Sequence, residues 1–366
     1  MVVDLRPASA QPQPTMTTSP ILSVQPLGFQ WPTIDPFLFC VYHDDAYPRG
    51  NAQLGPDAPL DGRDIGQDFA GKDGWRMYHG STVPGFPSHP HRGFETVTIV
   101  REGLIDHSDS LGATARFGGG DVQWLTAGRG IVHSEMFPLL KRESANRLEL
   151  FQIWLNLPAS HKMVAPHFTM MWSEQIPHTV FHDSDGRATH VSCIAGSLAA
   201  QGMAAPLPPP PDSWAAQPGS DLAIWTIKME PHAQWKLPAA LGGTTQRCMY
   251  FFKGDSLRIG DQTVAERAAL GLRCTDDLLV RNGAQTSEML VLQGKPIAEP
   301  VAQYGPFVMN TQAEIHQAFA DYRRTAFGGW PWPDNAPVHG KEPRRFAAHA
   351  DGATHTLPIQ PSATEP

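Results

Sequence analysis

Cysteine is scarce in this 366-residue chain, which has only Cys40, Cys193, Cys248 and Cys274. They lie far apart and form no CxxC pair, which argues against a disulfide framework or a thiolate zinc knuckle. Reduced thiols in the core of a cytoplasmic protein are the expectation. Long apolar runs are also missing. No window reaches the roughly 18 uninterrupted apolar residues that a membrane helix needs. The opening MVVDLRPASAQPQPTMTTSP has no apolar segment of the signal-peptide kind, so residues 1–25 read as a disordered leader. Nor is there a basic excess: 28 Lys and Arg against 36 Asp and Glu give a formal charge of -8. That balance disfavours broad binding to phosphate backbones. Neither a membrane nor a nucleic acid is an expected partner.

Glycine (33) and proline (35) are plentiful instead, and they punctuate short β-branched or aromatic runs. TVTIV (96–100), LIDHSDS (104–110), DVQWLTA (121–127), GIVHSEM (130–136) and LELFQIWLNL (148–157) read as strands separated by turns. A proline-rich stretch, 199–221, reads as a linker. A second set of strands follows it at 222–229, 247–254, 256–261, 277–282 and 288–294. Residues 311–327 predict a helix, with Thr311 and Glu314 as a capping box and Ile315, Phe319 and Tyr322 on one face. The fold class is therefore all-β: two β-barrel domains, 26–198 and 222–332, with a C-terminal helix inside the second range. Residues 333–366, poor in apolar side chains, read as a flexible tail.

Two short motifs carry the chemistry. In HPHRGFETVTIV (89–100), His89 and His91 stand two apart, and positions i and i+2 of an extended chain face one side. Pro90 lacks the ladder N–H and places the pair on an edge or at a strand's start. In GGGDVQWLTAGRGIVHSEMFP (118–138), His133 and Glu135 repeat the spacing. The 42 residues between His91 and His133 leave room for about three strands. Two such pairs aimed into one interior would offer three imidazoles and a carboxylate to a single ion; the plain alternative is that His133 and Glu135 pair with each other at a barrel rim. With no thiolate, such a set suits non-haem Fe(II), while Mn, Ni, Cu or Zn can occupy it too.

HPHRGFETVT, DSLG, GDVQWLTAGRGIVHSEM and EPVAQYGPFVMNT (299–311), in this order, resemble the pirin family of the cupin superfamily. The resemblance implies two cupin barrels with one iron, in the N-terminal barrel, held by His89, His91, His133 and Glu135. It also implies one of two functions. Some pirins open flavonols such as quercetin with O₂, which would make a small aromatic or enol compound the substrate and Glu135 both ligand and catalytic base. Others are redox-sensitive partners of transcription factors or metabolic enzymes. Glu95 completes an HxHxxxE pattern that in other cupins supplies a ligand; here it is expected behind the site or on the surface. The second barrel has no histidine in 236–252, and His232 stands alone, so one metal is expected. Phe94 and Trp124 are candidate pocket walls, although bulky aromatics in a barrel are more often core, and His107 reads as a hairpin residue outside the site. Compared with the family, the segment 35–93 is long, with an inserted loop at about 44–80 that ends in Trp75, Met77, Tyr78 and His79. It is either a surface insertion or a lid, with His79 as a possible extra ligand.

Overall fold

The computed structural model describes residues 19–359, so most of the expected leader, 1–18, and the last residues, 360–366, lie outside it. β1 (Ile21–Pro26) opens the described chain. Nine strands follow: β2 (Phe37–Tyr47), β3 (Gly85–His91), β4 (Phe94–Glu102), β5 (Leu104–Asp109), β6 (Thr114–Gly118), β7 (Val122–Thr126), β8 (Ile131–Met136), β9 (Asn146–Asn156) and β10 (His167–Met171). β11 (His178–His182) and β12 (Ala188–Ala195) precede the proline-rich stretch. After it come β13 (Ala223–Met229), β14 (Gln234–Leu237), β15 (Gln246–Lys253), β16 (Leu257–Ile259), β17 (Gln262–Val264), β18 (Ala268–Leu272), β19 (Leu278–Asn282) and β20 (Ser287–Gly294). A hairpin of β21 (Ala302–Tyr304) and β22 (Phe307–Met309) leads into α1 (Gln312–Thr325), and β23 (Arg344–Ala348) and β24 (Thr354–Pro358) are the last strands of the described residues.

The strands form two antiparallel β-barrels. The first pairs a sheet β10-β7-β4-β9-β2 with a sheet β24-β23-β6-β5-β8-β3; the second pairs β1-β18-β15-β20-β13-β12-β11 with β14-β19-β16-β17. The period of two along β4 shows how one strand serves two cores. Val97 and Ile99 point to the seam between the barrels, where they join Phe151, Ile153, Tyr250, Leu290 and Leu292 in one buried cluster. Thr98, on the opposite face, reaches Glu135 inside the first barrel. All four cysteines are free and buried. Among the described residues, no helix is long and apolar enough to cross a membrane.

The helix forms where the capping box puts it: Thr311 accepts from the Glu314 N–H, and Glu314 returns the bond to Thr311. Ile315 and Ala318 are buried, with Phe319 and Tyr322 packed beside them.

Strand pairing redraws the expected domain limits. β11 and β12, placed by sequence in the first domain, extend the second barrel, because β12 pairs with β13 through six residue pairs. β1, at the end of the expected leader, pairs with β18 of the second barrel. The reverse exchange occurs at the other end. Residues 333–359 do not fray: β23 adds to β6 of the first barrel. Ala347 and Leu357 pack on the first barrel's core, but the larger ties are polar, and hydrophobic content does not reveal those. Arg345, buried, donates to Asp121 at 2.6 Å and to Glu174. Buried Arg116 forms a two-point ion pair with Asp106 (2.6 and 2.7 Å) and also donates to the carbonyls of Gly340 and Glu342. The proline-rich stretch is likewise packed: Ser213 Oγ donates to Glu95 and accepts from the Ala215 N–H, while Met203 enters the second core.

The inserted loop has a nucleus of its own. The Arg63 guanidinium lies 3.3 Å from the Trp75 ring centroid and pairs with Asp68 at 2.9 Å, its side chain out of solvent.

Candidate metal centre

β3 is an edge strand, as Pro90 requires, and it runs antiparallel to β8. Their register sets His89 directly opposite His133. His91 shares a face with His89, and Glu135 shares one with His133. Gly85, at the start of β3, has φ +131, and a Cβ there would lie 2.5 Å from the Glu135 carbonyl oxygen. Only glycine lets the two strands approach this closely. Gly93, just past the pair, has φ +85 and would meet the Val308 carbonyl at 1.9 Å. It allows β22 to lie against the site's rim, where Val308 N–H donates to Arg92 O.

The geometry brings three ring nitrogens of His89, His91 and His133 within 4.8 Å of one another. His89 Nδ1 is bonded to the Pro87 carbonyl at 2.8 Å, which orients its ring. His133 has both ring nitrogens buried without a hydrogen-bond partner among the described residues, and His91 Nδ1 is in the same condition. Leaving such atoms dry and unbonded is costly. Burial pushes the His89 imidazolium down to about 4, and pushes His91 and His133 well below the usual range, each further lowered by its neighbours. The rings are thus neutral, with lone pairs free. Converging neutral imidazoles with unsatisfied nitrogens fit a transition-metal ion.

Glu135 stands just outside this set. Its Oε2 is 3.8 Å from His133 Nε2, and its oxygens accept from Thr98 and Gln152, each at 3.3 Å. Burial raises its carboxyl to about 7.

A cavity of about 540 Å³ opens on the cluster and is lined by His89, His91 and Glu135 beside Phe39, Phe86, Phe137 and Trp154. That size and apolar lining are typical of small-molecule sites. Phe94 backs it, its ring 5.0 Å from His91 and 4.4 Å from Trp154. Trp124 does not line it: β7 turns that side chain into the seam between the barrels. The inserted loop reaches the cavity through Phe69 and His79, and His79 Nδ1 is bonded to the Gly66 carbonyl at 2.7 Å.

Two expectations fail here. Glu95 is neither behind the site nor on the surface. It points to the opposite face of β4, fully buried, and accepts from Thr126 (2.7 Å) and Ser213 (2.6 Å). His107 does lie in a hairpin, that of β5 and β6, but not away from the site: it sits directly across from Glu135 of β8, its ring 5.5 Å from that of His133 and its Nε2 3.2 Å from Asp109. The HxD spacing of LIDHSDS repeats the HxE of β8 and was the available signal. Thr98, Gln152 and His43, which also face the cavity or Glu135, carry no motif.

Residues 28–155 match the pirin family and residues 224–328 match its C-terminal cupin domain. The chain belongs to the pirin family. It is 37% identical to human pirin over 259 residues, covering 69% of this chain and 80% of that protein. It is 36% identical to pirin-1 of Arabidopsis thaliana over 253 residues, 68% of this chain and 80% of the relative. Among solved structures, a quercetin 2,3-dioxygenase from Acinetobacter baumannii superposes with a TM-score of 0.62 at 26% identity, over 84% of this chain and 96% of that one. The two barrels are cupin domains, and the three-histidine cluster lies in the first, pirin domain.

Proposed function

We propose that this pirin is a metal-dependent dioxygenase that opens a flavonol-type enol with O₂. The observation that carries this reading is the three-histidine cluster at the base of an aromatic-lined cavity, with Glu135 beside it. The dioxygenase named above shares the fold over nearly its whole length, which supports the same chemistry here. His89, His91 and His133 would hold the metal, with Glu135 as the adjoining carboxylate; Fe(II) suits these donors best, with Mn, Ni, Cu and Zn as substitutes. When bound, the ion supplies Lewis acidity and a template for an enol oxygen.

The chain's own residues do the rest. Phe39, Phe86 and Trp154 form walls against which a flat ring system stacks, and they keep water from the reacting face. Glu135 is within reach of a hydroxyl lying over the histidine cluster, and takes its proton as that oxygen becomes an oxyanion. Thr98 and Gln152 hold the carboxylate in position and release an oxygen to the substrate when it arrives. Supplying purified, metal-loaded protein with quercetin in air tests the reading. Consumption of O₂ and release of CO, one for one with flavonol lost, is the expected result. Tight flavonol binding with neither gas exchanged overturns it.

A further inference from the structure

One buried chain of polar groups ends at this cavity far from any motif. His43, in β2, lines the cavity and is 4% exposed. Its Nδ1 is 2.6 Å from the Tyr78 hydroxyl, which donates to Asp45 Oδ2 at 2.6 Å; Asp45 Oδ1 in turn accepts from Arg76 at 3.0 Å. The directions follow from valence. Burial raises the Asp45 carboxyl to about 6 against the pull of Tyr78 and Arg76, which leaves it mainly ionised at neutral pH, where it only accepts. Tyr78 has a single proton, and it goes to Asp45. The Tyr78 oxygen therefore accepts from His43 Nδ1–H, and a neutral imidazole with Nδ1 protonated has a bare Nε2. His43 Nε2 has no hydrogen-bond partner among the described residues, and it is not among the buried orphan atoms, so it meets the open cavity.

The positioning groups are held with unusual firmness. Tyr78 has φ +56, a left-handed conformation that bulky residues rarely adopt. Its backbone is fixed in both directions by Asp68: Tyr78 N–H donates to Asp68 O at 3.1 Å, and Asp68 N–H to Tyr78 O at 2.9 Å. Phe86 lies in ring contact with both polar groups of the cavity, its ring 6.1 Å from His43 and 6.4 Å from His89. The cavity thus offers a metal-type site, a lone pair apart from it, and an aromatic ring in contact with both.

We infer that His43, oriented through Tyr78 and Asp45, accepts a hydrogen bond from a second hydroxyl of the substrate, so that the site selects polyphenols hydroxylated at both ends. This rests on the proposed flavonol reading and names the substrate class within it. Tyr78 and Asp45 are positioning residues; the inserted loop, by supplying Tyr78 and Arg76, becomes part of the specificity device.

The test is equilibrium binding without oxygen, using zinc-loaded protein, quercetin, and 3-hydroxyflavone, which lacks the remote hydroxyls. The wild type prefers quercetin. His43→Phe, which keeps a ring of similar size, loses roughly 2- to 12-fold in quercetin affinity, the worth of one neutral hydrogen bond, and keeps its affinity for 3-hydroxyflavone. His43→Gln, with an amide oxygen, recovers part of the loss. A variant that retains its metal and the full preference for quercetin overturns this inference alone, whereas a wild type that binds neither flavonol overturns it together with the dioxygenase reading. The ¹⁵N spectrum of histidine-labelled wild type, assigned by difference with His43→Gln, checks the tautomer without relying on a folded phenylalanine variant. A bare Nε2 supports the inference, and a protonated Nε2 with a bare Nδ1 refutes it.

Discussion

Glu95→Gln separates the pirin arrangement from the other cupin pattern in a single substitution. Glu95 is the third member of an HxHxxxE run, yet it lies in the seam between the barrels, bonded to Thr126 and Ser213. Burial lifts its carboxyl from an ordinary 4.5 to about 7 against the pull of those two hydroxyls. A carboxyl whose pKa is raised by folding binds its proton more tightly in the folded state. Its full contribution is therefore present below pH 4.5 and is lost as pH rises through 7. At about 1.4 kcal/mol for each tenfold change in proton affinity, the ionised form costs the fold up to about 3 kcal/mol at pH 9. Glutamine never ionises, and either hydroxyl can turn to accept from its amide. Urea unfolding of wild type and Glu95→Gln should therefore give the variant an advantage that grows from about pH 4.5 to about pH 7 and stays level from there to pH 9. Metal content should be the same in both proteins throughout. A stability difference that is flat with pH refutes the burial argument, and loss of metal from the variant makes Glu95 a ligand.

Other substitutions probe the site and the fold. His133→Ala removes one of three converging nitrogens, and elemental analysis should show most of the metal gone; unchanged content refutes the centre. Glu135→Gln should keep metal while flavonol turnover falls at least about 100-fold, the usual contribution of a positioned base; wild-type turnover in that variant removes Glu135 from proton transfer. Arg345→Met leaves buried Asp121 without its cation and should cost roughly 3–5 kcal/mol in urea unfolding. A loss within about 1 kcal/mol would show that β23 is a surface ornament rather than part of the first barrel.

The site was legible because strand periodicity is short and strict. The spacing of two in HPH and HSE survives folding unchanged, and the β3–β8 register then sets His89 against His133. The strand from Phe94 to Glu102 and the helix capped by Thr311 were equally readable, since alternation and capping are local. Other features depended on partners distant in sequence. Phe94 and Glu95 are adjacent, yet one faces the cavity and the other the seam, and nothing local says which face of β4 is which. Between His91 and His133 the chain forms four strands, β4 to β7, where three were expected: β6 (Thr114–Gly118) is the one that the sequence reading passed over. The ordering of residues 344–358 rests on Arg345 meeting Asp121, a contact across 224 positions.

That late pairing has its counterpart at the other end, where β1 docks beside β18. Each half of the polypeptide thus keeps a piece of its neighbour's architecture. A protease cut anywhere in 199–221 would not release two independent domains. The front fragment would carry away three strands, β1, β11 and β12, that complete the rear barrel, and the rear fragment would carry off β23 and β24, which close the front one. Each piece alone would expose open sheet edges, so the nicked halves hold together or aggregate.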